Sequence, residues 1–436
     1  MTTVSKFGGS SMANAEQFAK VKAILKADPA RRYLVVSAAG KDPDHPVKLT
    51  DLLLRIAASD DQALFEQVIA RLEPIKAALH LQFDLNQAVS EIQKEWNAHH
   101  DHDYLVSRGE FLTANLMGEY LGWPVLDATK VMLFKRDQFD ATASAHALAQ
   151  APEHFVLPGF YGGDETGCVH LMPRGGSDIS GAWLANLLNA DLYENWTDVS
   201  GILMADPRVV HQPKAIAELT YAELRELTFM GAAVFQADAV QPVRAKGIPT
   251  RILNTNRPQD SGTLVVRASN LDGPLTGIAG RRHYTVITLK KYQLAAHLEV
   301  VQQALSVMAD HELKVVYMPT SIDTLNLICH GTIDIAKRQR LAKDLVSACA
   351  PDDLAIQTNI ALISTISQRL AKRPAIAGRL LAYLDDNNIP VRLVSQNSGD
   401  SNLLIGVGTN DYARALNAIY QNFLHTRNAP EPYFGA

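Results

Sequence analysis

Cysteine is scarce: Cys168, Cys329 and Cys349 are the only three in 436 residues, and they lie far apart. That excludes a disulfide framework. Long apolar runs are missing too, which leaves nothing of membrane-span length. The chain begins on a strand-like stretch with no hydrophobic leader. There is no basic excess; the net charge of −5 gives no reason to expect nucleic acid or an anionic membrane as partner. Nor is there a glycine-rich loop ending in Gly-Lys-Ser/Thr, or a Ser-His-Asp set with a nucleophile elbow. These absences point to a cytoplasmic protein. What is present is ordinary for a globular chain, with 47% hydrophobic and 20% charged residues. The length suffices for about three average domains.

Strand-like and helical runs alternate through the first part, which implies an α/β domain with a largely parallel sheet. TVSKF and RRYLVV read as strands, Leu52 to about Asn97 as helical, SRGEFLTANLMGEYLG as a helix, and WPVLDAT and HFVLPGFYGG as short buried strands. Near Arg257 the composition changes, and ASNLDGPLTGIAG reads as a linker. Beyond it lies an internal repeat. Val316–Asp334 aligns without gaps on Leu393–Asp411 at a constant offset of 77, matching Asp323 with Asp400 and Gly331 with Gly408. The match extends upstream into two helical stretches. Each copy reads strand, helix, strand, strand, helix, so two small α+β modules are expected side by side.

Two glycine turns carry the chemistry. In KFGGSS, Gly8 and Gly9 sit where a strand hands over to a helix bearing Phe18, Val21, Ile24 and Leu25 at helical spacing. Backbone N–H groups there favour an anion, and Lys6 adds charge. A tight turn with a surface lysine fits the same residues. In PRGGSDISGAWLANLL, Arg174 leads through Gly175, Gly176 and Ser177 to Asp178 and a second helix. Asp178 fits an N-cap best as an isolated aspartate, and it also suits orienting a lysine or holding a metal. Thr197 and Asp198 end a strand, where open α/β sheets contact ligands. Arg208 follows in a turn. Glu110 is expected near a helix start, either stabilising the dipole or receiving an ammonium. The HHDHD run at His99–Asp103 lacks partners for a metal site. Two glycine turns, two cations and strand-end acids suit phosphate transfer of a non-P-loop kind.

Taken together, KFGGSS, RGGSDISGAWLANLLNADLYENWTDVSGI, DPRVV and the tandem repeat resemble the aspartate kinases, over essentially the whole chain. The resemblance implies an amino-acid-kinase fold over residues 1–270, its mainly parallel sheet sandwiched by helices. Two ferredoxin-like ACT modules would follow at 280–355 and 356–436. It implies ATP-dependent phosphorylation of the side-chain carboxylate of L-aspartate, with Mg²⁺ arriving on the ATP. Lys6, Gly8, Gly9 and Asp178 would be catalytic. Ser37, Thr50, Glu110 and Arg174 would bind the substrate. Lys6, Ser10, Ser11, Gly175, Gly176, Ser177, Thr197, Asp198 and Arg208 would hold the nucleotide, and no residue is assigned to a metal.

In this family such modules pair between subunits and take an end-product amino acid. The resemblance therefore implies a homodimer or higher oligomer, with lysine or threonine near Met318, Thr320, Ser321, Asp323, Ser395, Gln396, Asn397 and Asp400. The sequence departs from the family pattern at GAAVFQADAV, where Ala233 stands in the place of a lysine, and at Pro173, Leu203 and SQNSGDSN. A related kinase acting on another amino acid fits the tandem repeat poorly. A catalytically impaired amino-acid sensor is the alternative from a different class.

Overall fold

The computed structural model describes residues 1–173, 175–231, 237–269, 275–368, 370, 374–396 and 401–426. Arg174, Ala233, Asn397 and Asp400 lie outside them. The chain forms two compact units. The first is Met1–Ile202 with Ala215–Thr228 and Ala233–Leu271; the second is Leu203–Lys214, Phe229–Ala232 and Asp272–Ala436.

The first unit is built on a seven-stranded sheet in the order Phe155–Pro158, Arg31–Val36, Thr3–Phe7, Leu192–Thr197, Thr250–Asn254, Thr263–Val266, Glu218–Thr220. Only the pairing of Thr250–Asn254 with Thr263–Val266 is antiparallel. Runs such as FVLP are buried throughout, as strands covered on both faces must be. Alternation along Thr3–Phe7 decides what each face carries. Phe7 stacks on Trp196, with ring centroids 5.5 Å apart, in the core shared with Phe18. Lys6 points to the other face.

The helices follow local signals. Asn14 caps Ala15–Ala27 by accepting from Gln17 N, and the helix buries Phe18, Val21, Ile24 and Leu25. The HHDHD run is a turn between helices: His99 ends one, His100 is left-handed, and Asp101 caps the next. Among the described residues no group of three His, Cys, Asp or Glu side chains could hold a metal ion. Two expectations need correction. Val125 of WPVLDAT makes only an isolated bridge to Val156, because Pro124 removes a donor there. Glu110 lies in the middle of helix His102–Leu121, since Asp101 starts that helix earlier than SRGE suggested.

The sheet is pinned by a buried carboxylate. Glu194, 3% exposed, accepts from Arg31 Nε at 2.8 Å and Nη2 at 3.0 Å, from Ser5 Oγ at 2.9 Å and from Trp196 Nε1 at 2.9 Å. Removing one member of such a network strands the others without water. Glu194→Ala is therefore expected to cost roughly 3–5 kcal/mol of stability, read from a urea-unfolding series. A loss below about 1 kcal/mol would mean that water replaces the carboxylate.

The second unit holds a six-stranded sheet in the order Val315–Tyr317, Thr324–His330, Gly277–Lys290, Asp353–Ile366, Asn402–Gly408, Val391–Ser395. The repeat is visible in the elements: helix Leu298–Asp310 corresponds to Pro374–Asp386, and Ile335–Cys349 to Tyr412–Thr426. The modules are interleaved, however, where two consecutive ones were expected. Residues 286–290 and 353–357 pair with each other in the first module, beside Thr324–His330. Gly277–Arg281 pairs with 362–366 and supplies the second module's outer strand. Register shifts between Arg281 and Val286 mark the passage from one module to the other. Segment Leu203–Lys214 packs on this unit through Ile278 N to Met204 O at 2.7 Å and Lys214 N to the Tyr420 hydroxyl at 2.8 Å. Among the described residues no helix is long and apolar enough to cross a membrane.

Candidate active site

A cavity of about 210 Å³ opens at the carboxyl ends of the central strands of the first unit, where parallel sheets bind ligands. Lys6, Ser37, Thr50, Glu110, Phe160, Gly175, Gly176, Ser177 and Asp178 line it. Strand register builds its floor. Lys6 pairs with Asn195, so the two side chains emerge together on one face. Asp178 sits above them: Lys6 Nζ is 2.5 Å from Asp178 Oδ1, and Asn195 Nδ2 donates to the same oxygen at 2.7 Å. Tyr193, two residues back on that face, donates to the Asp178 carbonyl at 3.1 Å. Helix Gly176–Leu187 approaches this closely because Gly181 has no side chain; a Cβ there would lie 2.7 Å from the Tyr193 hydroxyl and 3.1 Å from Lys6 Cβ.

Gly175, at φ 78°, turns the chain into that helix as its N-cap. Asp178 is therefore not the cap. Its carboxylate is committed to Lys6 and Asn195, which corrects the capping expectation. The first glycine turn also differs from expectation. Thr3–Phe7 runs into a short 3₁₀ turn, Gly9–Met12, before Asn14 starts the α-helix. Gly8 lies against the Lys6 ammonium: a Cβ there would come into van der Waals contact with Nζ, at 3.6 Å.

Glu110 is 5% exposed and one of its oxygens, Oε2, has no partner within the described residues. Burial pushes its carboxyl up to about 8, against the opposing pull of backbone donors and of Lys6 and Arg108. A buried acid with one oxygen unpartnered, lining the cavity, suits an ammonium ligand. Arg108 beside it is also buried, held over the rings of Tyr104, Phe111 and Tyr161 at 4.4, 4.9 and 5.1 Å.

The structure thus gathers Lys6, Ser37, Thr50, Glu110, Gly175, Gly176, Ser177 and Asp178 around one space. Ser11 turns away, its hydroxyl 2.7 Å from that of Thr255. Ser10 belongs to the 3₁₀ turn. Thr197 ends its strand, Asp198 follows it, and the Thr197 hydroxyl donates to Asp198 Oδ1 at 3.1 Å. Arg208 belongs to the second unit, where it grips Asp206 at 2.7 Å. In that unit Asp323 accepts from Gln293 N at 2.7 Å, tying down the turn that carries Thr320 and Ser321. Met318 is 42% exposed, and Gln396 Nε2 reaches Leu370 O at 3.4 Å. Sequence reasoning missed Asn195, Tyr193 and Phe160. Phe160, at φ 76°, follows Pro158-Gly159 and closes one wall; the glycine-rich context was the available signal.

The pattern of the amino acid kinase family matches residues 1–254, and that of the ACT domain matches residues 363–423. Aspartokinase 3 of Bacillus subtilis is 31% identical over 445 residues, covering 96% of this chain and 98% of that protein. The crystal structure of Clostridium acetobutylicum aspartate kinase superposes with a TM-score of 0.88 at 34% identity, covering 97% and 99% of the two chains. Escherichia coli aspartokinase III, solved with lysine and aspartate in its T-state, gives 0.77 at 25% identity over 97% and 99%.

Proposed function

The chain belongs to the amino acid kinase family, as an aspartokinase with C-terminal ACT modules, and from that premise we propose that the cavity around Lys6 transfers the γ-phosphoryl group of ATP to the side-chain carboxylate of L-aspartate. The observation that carries this reading is the meeting of a lysine–aspartate pair with a buried glutamate, one oxygen of which has no partner among the described residues, in one cavity.

The acceptor carboxylate, with pKa about 3.9, is already ionised at neutral pH. No general base is needed. A carboxylate oxygen attacks the γ-phosphorus, the bond to the ADP oxygen breaks, and no proton moves. What must be supplied is positioning and positive charge. Glu110 receives the substrate ammonium, Ser37 and Thr50 flank it, and Lys6, oriented by Asp178 and Asn195, meets the charge on the transferring group. Gly8, Gly9, Gly175, Gly176 and Ser177 offer close backbone approach to phosphate. Arg174 in the substrate site, with Ser10, Thr197 and Asp198 at the nucleotide, extends this reading by resemblance. Of the two carboxylates among the described residues lining the cavity, Asp178 is already paired with Lys6 and Glu110 is taken by the substrate ammonium. That donor set suits Mg²⁺ bound through the ATP phosphates and water, where it would neutralise phosphate charge.

ADP release with ATP, Mg²⁺ and L-aspartate tests the reading, with hydroxylamine trapping the acyl phosphate as a hydroxamate. Folded protein that binds aspartate and yields no hydroxamate would leave the sensor in its place.

Regulation follows from the second unit. Its first module exposes Tyr292, Leu298 and Ile322 at 72–74%, apolar side chains that an interface with a second copy would cover. This supports pairing with a second copy and an amino-acid effector near Met318–Asp323. Lysine, threonine or both are expected to lower the rate, provided the effector binds two subunit arrangements unequally. A rate unchanged by either or by their mixture overturns this.

A further inference from the structure

Arg71 lies on helix Leu64–Ala78, outside both glycine turns and the cavity lining, yet it is only 3% exposed. Its Nη2 donates to the carbonyl of Ala13 at 2.7 Å and to that of Gly40 at 2.5 Å. Ala13 directly follows the 3₁₀ turn of the KFGGSS motif. Gly40 belongs to the loop that runs from Ser37 towards Thr50. The two segments meet backbone to backbone, because Gly40 N donates to Gly9 O at 2.8 Å. There is no room for side chains between them: a Cβ on Gly40 would lie 2.5 Å from the Gly9 carbonyl, and one on Gly9 would lie 2.9 Å from Ala38 O. Asp42 answers the charge, with Oδ2 3.7 Å from Arg71 Nη2 and its carboxylate held by the backbone and ring nitrogens of His45.

This is an expensive way to fill space. Arg71 Nε and Nη1 are buried without partners among the described residues. A leucine or methionine would pack there without desolvating a charge. What the guanidinium adds is a simultaneous bond to two loops. We propose that Arg71 is a positioning residue for phosphoryl transfer, locking the phosphate-side glycine turn to the acceptor-side loop so that the two substrates meet in register. The proposal rests on the reading of the cavity as the aspartokinase site. A displacement of about 1 Å between reacting groups costs on the order of 10²-fold in rate. Loosening this joint therefore raises the KM of both substrates and lowers kcat together, whereas losing a contact to one substrate moves one KM.

Steady-state kinetics of the full chain with Arg71→Ala and Arg71→Lys test this, with circular dichroism and thermal unfolding alongside. Arg71→Ala is expected to lose about 10²-fold in kcat, with both KM values raised. Millimolar guanidinium should restore much of that loss in a saturable way, which a general folding defect would not allow. Arg71→Lys, keeping the charge on a shorter side chain, should fall between. Native kinetic constants in folded Arg71→Ala overturn the proposal, as does a loss that tracks unfolding and ignores guanidinium. Should Arg71→Ala fail to fold, Arg71→Lys decides: native constants overturn the proposal, and a joint rise of both KM values supports it. Wild-type protein without aspartate-dependent ADP release removes the functional premise and this proposal with it. An active wild type beside an unaffected variant removes the positioning role alone.

Discussion

Lys6→Ala is expected to lower kcat by about 10³-fold or more while the protein stays folded. Lys6 is the one cation among the described residues lining the cavity. It sits 6% exposed, at the end of a central strand and beside a glycine turn. In so dry a position a charge acts on the transferring phosphoryl group with little screening. Deleting one neutral preorganised donor in other enzymes costs about 10²–10³ in rate, and a full charge should cost at least as much. The fold should survive because Asp178 keeps its bond from Asn195 and Phe7 still packs on Trp196. The KM for aspartate should move far less than kcat, since the acceptor's ammonium is held elsewhere. Steady-state ADP release against aspartate and ATP reads both constants. A kcat within about tenfold of native would take Lys6 out of the chemistry.

Glu110→Gln is expected to raise the KM for aspartate by roughly 30- to 4,000-fold, the equivalent of the 2–5 kcal/mol lost when one partner of a buried charge pair is removed. The same residue predicts a proton balance. In the free enzyme the carboxyl is pushed up to about 8, so at pH 7 it is mostly protonated. Docking an ammonium favours the ionised form and expels that proton. Calorimetry of aspartate binding in two buffers of different ionisation enthalpy should therefore show release of close to one proton at neutral pH. No release between about pH 6.5 and 7.5 would separate Glu110 from the ammonium. Stability carries the matching sign. The folded value lies above the unfolded one, so the contribution is complete below about pH 4.3 and is lost as pH rises towards 8. The glutamine variant lacks that decline, and its thermal midpoint should overtake the native one on the alkaline side.

Much of the site could be read from the chain because its parts are local. A strand, two glycines and a lysine announce themselves within six residues, and Asp178 follows its own glycine pair. Glu110 was legible as a carboxylate but misplaced along its helix, since the cap that starts the helix is Asp101. The other gaps are long-range. Asn195 matters only because strand register puts it beside Lys6. Arg71 matters only because a helix folds back over two loops. The modules show the same limit: an offset of 77 finds matching elements, but it cannot find a strand supplied from upstream of both copies.

That upstream strand has a consequence during synthesis. The first module can close once the chain has emerged to about Gln357, because its strands are contiguous in the order of translation. The second cannot. Gly277–Arg281 leaves the ribosome first, and its edge towards 362–366 must wait unpaired while the entire first module is made and folded. The final pairing closes a loop around a finished module, the kind of non-local contact that forms late. For that interval a nascent chain exposes an apolar strand edge, and stalled translation between these points would leave a species prone to pairing with its neighbours.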